Sequence, residues 1–470
     1  MFGISLFRGR LPESFVRASR TILGVGCMVA ASGCATTAGS APYERARVDY
    51  DGAAAHASSP ARNDAAAGLE ANVLDRPAYV RAVLERNPTV ESARQGWRAA
   101  LSRVKQSGTF EDPMVDLGVA PLSIGSSKAP FGYELGISQR LPWFGKRGLE
   151  AAAAAAEADA SKSDYQAMKR ELALSAVILY DQYFIAVRSL EINARYVELM
   201  RVMRDGATAQ FQVGRASAQD PLQAESELAH VERDTAMLLA EREVTVAQMN
   251  ELLHRAPELP LPPPPTELAM PSIPSSAATE HLGSDAVSQR SEISAARQRA
   301  RAAQARADRA NRESYPDVTV STSYNSMWDM PEHRWMVGLG FNLPVQTGRR
   351  AGAADEALAM RAQFESDASR MTDAVRTQVF VALKQLQGSQ RIIGLFENRL
   401  LPVARAQVDA ARAGFTASQN PFVAVVGAAK NLRSVELDYQ MARAECDRHR
   451  AELDRALGLI PGLDTQEGQP

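Results

Sequence analysis

The sequence predicts a mainly α-helical, internally duplicated protein with a small membrane-embedded β part that other copies of the chain must complete. Three observations predict this class. Similar segments recur in one order about 200 residues apart, and each copy holds two strands of two-residue alternation. In the first copy the strands lead into Leu149–Val213, a stretch without proline that spans roughly 100 Å as a helix.

The duplication rests on four matches. Ala93-Arg94-Gln95 recurs as Ala296-Arg297-Gln298, and Asp112-Pro113 corresponds to Tyr315-Pro316. Leu141-Pro142 with Arg147 corresponds to Leu343-Pro344 with Arg349, and Gln219-Asp220-Pro221 to Gln419-Asn420-Pro421. Ordered matches at a nearly fixed offset mark a repeat. The first repeat is expected over residues 75–256 and the second over 277–462, with a proline-rich extended linker at 257–276 and a tail at 463–470.

The strands are expected at about 113–122, 131–141, 316–325 and 334–343. Phe131, Tyr133, Leu135 and Ile137 alternate with Gly132, Glu134, Gly136 and Ser138, while Trp335, Val337, Leu339 and Phe341 alternate with Met336, Gly338, Gly340 and Asn342. Val115, Leu117 and Val119 in one partner strand, and Val318 and Val320 in the other, continue the pattern. One face is therefore apolar and the other small or polar. A soluble sandwich gives the same alternation, but four strands near the length a tilted membrane strand needs, with Trp143, Trp328 and Trp335 at their ends, fit a membrane wall better. Four strands cannot close, and lipid tolerates no open edge, so the chain is expected to oligomerise.

The helical parts carry their own punctuation. Ala224, Leu228, Val231, Thr235 and Leu238 alternate spacings of four and three, the coiled-coil seam. Pro402 is expected to kink the long helix of the second half. Gly214 and Gly414 are expected to end helices in the left-handed conformation, and Asp220-Pro221 and Asn420-Pro421 to start the next ones as N-cap and N1. The two hairpin tips, at about 214–220 and 414–420, are expected to be equal in length.

At the N-terminus, Arg8, Arg10, Arg17 and Arg20 precede a short apolar run, Ile22–Ala31, and then Ser32-Gly33-Cys34. This reads as a secretory signal peptide over 1–33. Ala31-Ser32-Gly33-Cys34 resembles a bacterial lipobox, which implies lipidation of Cys34, and residues 34–74 are expected to form a flexible lipid-anchored tether.

Composition removes other classes. With 470 residues, 53 basic against 55 acidic side chains and a net charge of -2, a nucleic-acid surface is not expected. Among three cysteines Cys27 leaves with the signal, so no disulfide framework is expected. No nucleotide-binding or hydrolase motif is present in the sequence, and neither catalysis nor a cofactor is expected. Cys446 and His449 sit three apart, and Met327, Met330, His333 and Met336 gather around the second strand loop. The first pair lacks further ligands, and the second group reads as an interfacial apolar loop, so no metal site is assigned.

Ile137-Ser-Gln-Arg-Leu-Pro-Trp-Phe-Gly-Lys-Arg147 and Phe211-Gln-Val-Gly-Arg-Ala-Ser-Ala-Gln-Asp-Pro-Leu222 resemble the TolC family of outer-membrane efflux proteins, over roughly 75–462. Glu111-Asp-Pro-Met114 and the Pro-Trp-Phe-Gly-Lys run look most like members paired with resistance-nodulation-division pumps, especially the heavy-metal branch. The resemblance implies a homotrimer whose twelve strands form a barrel in outer-membrane lipid, continuous with a periplasmic helical tunnel. It implies a passive exit duct for metal ions or drugs, fed by an inner-membrane pump through a periplasmic adaptor. It further implies adaptor docking at Val213, Gly214, Arg215, Asp220 and Pro221, and at Gly414, Asn420 and Pro421. Several relatives carry acidic residues at and after the second tip; Asn420 and Val423 stand there in this chain, so an electronegative gate is not carried over. A type I protein-secretion duct would use the same scaffold. A non-transporting periplasmic coiled-coil lipoprotein would explain the helices and the lipobox but not the strands.

Overall fold

The computed structural model describes residues 40–57, 72–125, 127, 130–214, 216–271, 276–417 and 419–463. The signal peptide, Cys34 and Arg215 lie outside them. In chain order the elements are α1 Ser40–Ala57, α2 Arg76–Arg86, α3 Pro88–Ser107, β1 Met114–Val119, β2 Tyr133–Leu141, α4 Lys146–Gln212 and α5 Gln219–Leu252. There follow α6 Ser276–Gln289, α7 Ser291–Arg312, β3 Val318–Asn325, β4 Trp335–Phe341, α8 Thr347–Leu395, α9 Leu401–Thr416 and α10 Phe422–Leu457. The helix–strand–strand–long helix–turn–helix order thus occurs twice. Among the described residues no helix is long and apolar enough to cross a membrane. Within the stretch expected to be a tether, α1 is an 18-residue helix, consistent with the helix-forming preference of its alanines.

The chain divides into two compact units. One comprises the described residues within 1–50, 98–159 and 299–364, the other those within 51–97, 160–298 and 365–470. The first unit holds a four-stranded antiparallel sheet in the order β1-β2-β3-β4, with the helix ends that feed it. The outer edges of β1 and β4 pair with no strand among the described residues.

The second unit is helical and packs in separate clusters. Ala224, Leu228 and Val231 of the seam bury against Tyr196 and Met200 of α4 and against Phe422 and Val426 of α10. Val408 and Ala411 of α9 pack on Val425 and Ala428 of α10. Farther along, Val375, Val379, Leu383 and Leu386 of α8 meet Ile293 of α7 and Leu453 of α10. The linker runs extended across these helices, and because proline donates no N–H, side chains supply the donors. Asn250 donates to the carbonyls of Pro257 and Leu259 at 3.0 and 2.8 Å, Tyr183 to that of Pro262 at 3.2 Å, and Gln390 to that of Pro271 at 2.5 Å.

Pro402 interrupts its helix, and the form of the interruption is specific. Residues Phe396–Leu400 form one π turn, closed by the Leu401 N–H donating to the Phe396 carbonyl. A proline cannot donate to the carbonyl four residues back and its ring crowds it, so the preceding turn widens.

The tips correct three expectations. Gly214 is left-handed as expected, at φ +73°, but Gly414 is not: α9 continues through it to Thr416. Its hydrogen faces the Asn420 amide, which a Cβ would overlap, and its carbonyl accepts the Gln419 and Asn420 N–H groups at 2.8 and 3.1 Å. Close approach, not handedness, explains that glycine. Nor do Asp220 and Asn420 cap. Asp220 lies in the first turn of α5, where a carboxylate faces the positive helix end, and Ser217 Oγ accepts the Gln219 N–H at 3.2 Å. Asn420 precedes Pro421, which is itself the N-cap of α10 and makes no side-chain hydrogen bond. The turns, residues 213–218 and 417–421, differ in length by one residue.

Candidate functional site

The register fixes the two faces of the sheet. Val115, Leu117 and Val119 stand opposite Ile137, Leu135 and Tyr133. Leu135 and Ile137 continue to Tyr324 and Thr322, and Val318, Val320, Thr322 and Tyr324 to Phe341, Leu339, Val337 and Trp335. Paired residues share a face, so these side chains form one apolar surface, and it is exposed: Leu117 at 73% and Val337 at 81%. Opposite lie Asp116, Gly118, Glu134, Gly136 and Arg140, followed by Ser321, Ser323, Gly338 and Gly340. A sheet with its apolar face bare and its polar face lined by glycine and hydroxyls is built for lipid on one side and water on the other.

Aromatic rings mark the end of the sheet away from its helices. Phe131, Tyr133, Tyr324 and Trp335 form a chain with centroid spacings of 5.9, 5.7 and 5.3 Å. Trp328, in the β3–β4 turn, stands edge-on to His333 at 6.1 Å. The tryptophans at strand ends announced this belt; the Tyr133–Tyr324 contact needed the strand pairing. Met327 and Met330 are exposed in the same turn. Met336 lies on the polar face, opposite Ser323.

The other end is held by a polar corner that sequence reasoning missed. Lys146, the first residue of α4, is 3% exposed, and its Nζ lies 2.8 Å from Asp317 Oδ1 and donates to the Tyr315 carbonyl at 3.0 Å. Arg140 Nη2 reaches Asp317 Oδ2 at 2.8 Å, and the Trp143 N–H donates to Oδ1 at 3.0 Å. Burial raises the Asp317 carboxyl, but Lys146, the Trp143 N–H and Arg140 together outweigh it and hold it at about 2. Around this pair Trp143 stacks on Tyr315 at 5.7 Å and 7°. Gly145 takes φ +84° where the chain turns into α4, and the Arg147 guanidinium covers the Phe110 ring at 3.4 Å. The Pro-Trp-Phe-Gly-Lys-Arg run is therefore the strand-to-helix corner.

At the tips Val213 is 67% exposed, and Asn420 and Pro421 are also exposed. Asp220, Pro221 and Gly414 are half-buried. Behind the tips, Arg433 of α10 reaches Asp234 of α5 at 2.9 Å and Asn193 of α4 at 2.8 Å. Buried Glu227 accepts from Tyr196 and Lys430, each at 3.3 Å. Leu222, 69% exposed, and Val423, 51% exposed, are tip residues not singled out as docking positions from the sequence. The available signal for Leu222 was an apolar residue directly after proline and off the α5 seam. Among the described residues no three His, Cys, Asp or Glu side chains gather so that they could hold a metal ion, those around Cys446 and His449 included. Burial pushes the Cys446 thiol up to about 11, while His449 Nδ1 lies 2.7 Å from Ser389 Oγ.

A four-stranded sheet with one apolar and one polar face, whose strands lead into long helices, fits the β part and the helical part of a membrane channel. The model of the family described as outer membrane efflux protein matches the chain twice, over residues 79–253 and 282–459. These spans cover well over half of the sequence, and the chain belongs to this family: it is an outer-membrane efflux channel. Its fold is similar to that of CusC, with a TM-score of 0.72 and 17% identity, covering 83% of this chain and 94% of that one. It is similar to the MtrE outer membrane channel of Neisseria gonorrhoeae in the open state, at 0.69 and 17%, covering 83% and 90% of the two chains. VceC of Vibrio cholerae gives 0.69 and 17%, with coverage of 81% and 95%. At such identities the likeness is one of fold. A search of curated proteins found no significant match.

Proposed function

We propose that three copies of this chain close their four-stranded sheets into one twelve-stranded barrel and form the passive exit duct of a tripartite efflux system. The carrying observation is the sheet itself: its apolar face is bare and both of its edges are open, a state that lipid does not tolerate in a lone chain. Because the strands alternate in direction, β4 of one copy meets β1 of the next antiparallel, and the even strand number closes without a parallel pair.

In this reading the hairpin tips dock a periplasmic adaptor, with Val213, Gly214, Arg215, Asp220 and Pro221 contributing from the first hairpin. Gly414, Asn420 and Pro421 contribute from the second, and exposed Leu222 and Val423 extend the surface. An inner-membrane pump of resistance-nodulation-division type supplies the energy, since the duct itself performs no chemistry. Lipidation of Cys34 adds a membrane anchor beside the barrel.

The test uses the first tip. Gly214 has open space where a Cβ would sit, so Gly214→Val acts through backbone strain alone, about 1–2 kcal/mol at φ +73°. In cells that depend on this duct, the variant is expected to assemble at wild-type levels and lose most of its export activity. Full export activity with an assembled variant would count against docking through the tip.

A further inference from the structure

We propose that Asp116 and Glu134 make the barrel interior select for cations, so that cationic cargo is the class this duct passes most readily. The inference rests on the closed-barrel reading above and adds the sign of what passes.

The polar face of the sheet carries three charged side chains, Asp116, Glu134 and Arg140. The single cation is already matched: Arg140 lies 2.8 Å from Asp317 Oδ2 and 3.7 Å from Glu111 Oε1. The two carboxylates are not. Among the described residues neither has an ion-pair partner, and Glu134 receives one bond, from the Asn325 amide at 3.5 Å. The face therefore holds uncompensated negative charge, and the positive charge at its helix-side end is spent on the corner.

The cross-strand neighbours point the same way. Asp116 stands opposite Gly136, and Glu134 opposite Gly118. A Cβ on Gly136 would sit 3.6 Å from the Asp116 Cβ, and one on Gly118 would sit 3.7 Å from the Glu134 Cβ. With glycine at both places the β1–β2 pairing leaves each carboxylate uncovered, with room for a hydrated ion, while on the β3 side only the Asn325 amide stands against Glu134. The carboxylates stand diagonally across neighbouring strands, two residues of rise along and one strand spacing across, about 8 Å apart, which is comparable to the Debye length of about 8 Å at physiological salt. In a closed trimer the two rings act as one negative band in a low-dielectric wall, the arrangement that concentrates counter-ions and sets charge selectivity in pores. The second tip, with Asn420 and Val423, supplies no comparable acid.

The test is the reversal potential of the purified oligomer in planar bilayers across a KCl gradient. Wild type is expected to favour K⁺ over Cl⁻ several-fold. The preference should shrink as salt rises from 0.1 to 1 M and the Debye length falls from about 10 to 3 Å. Asp116→Asn with Glu134→Gln should bring the ratio close to unity with channel steps still present, and each single substitution should fall between. Steps with wild-type selectivity in the double variant, or an anion-preferring wild type, would overturn this inference alone. A folded wild-type oligomer without steps would overturn the duct reading and this inference with it.

Discussion

Leu135→Arg should prevent assembly of the protein in the outer membrane, while Glu134→Arg, one residue away, should not. Leu135 lies in the middle strands, opposite Leu117 on one side and Tyr324 on the other, and its face is the bare apolar one. An arginine on the lipid side costs about 2–4 kcal/mol at the bilayer midplane and less toward the aromatic belt, where Tyr324 stands opposite Leu135, and in an oligomer each copy bears that cost. Glu134 points the other way, opposite Gly118 and on the same face as Asp116, where a guanidinium meets water and a carboxylate. The readout is the amount of heat-modifiable oligomer in the outer-membrane fraction. If Glu134→Arg proves the more damaging, the assignment of faces is reversed.

The second large effect belongs to the corner. Lys146→Met removes one of the two cations on the Asp317 carboxylate, which is 5% exposed; Arg140 still holds Oδ2, so the expected loss is about 1–3 kcal/mol, below that of a fully broken buried pair. Changing both, as Lys146→Met with Asp317→Asn, should cost less than the single lysine substitution, because the buried carboxylate that lost its lysine is then gone as well. The pair also gives the protein an acid-sensitive element. The carboxyl is held at about 2, below the ordinary 3.8, so its contribution is present above pH 4 and is lost as pH falls from about 4 to 2. A depression of that size corresponds to roughly 2 kcal/mol. Thermal unfolding in detergent should show wild type losing stability across that window and Asp317→Asn showing a flatter profile. Parallel profiles would mean that the corner does not depend on the carboxylate.

Much of the architecture was legible because periodicity records which side of an element meets which solvent. Alternation in 131–141 and 334–343 announced the two faces, and the four-three spacing from Ala224 to Val231 announced the seam on which α4 and α10 pack. Pro402 announced a break, although not that it would take the form of a π turn. The sequence was least informative where the cause lies far along the chain. Lys146 and Asp317 are 171 residues apart, and nothing near either one signals the other. Gly414 matched Gly214 by position, yet its reason is the Asn420 amide folded back against it, a contact that no helix-ending rule contains. The proposed docking positions were read from glycines and prolines that shape the turns, while exposed Leu222 offered only its place after a proline and off the seam, and exposed Val423 carries no pattern of its own.

The central claim is that the open sheet of one chain is a third of a closed barrel. Single-channel recording of the purified protein in planar bilayers, alongside its oligomer mass, tests it most directly. The expected result is a trimer that opens in discrete conductance steps. A folded monomer that passes no current would contradict it.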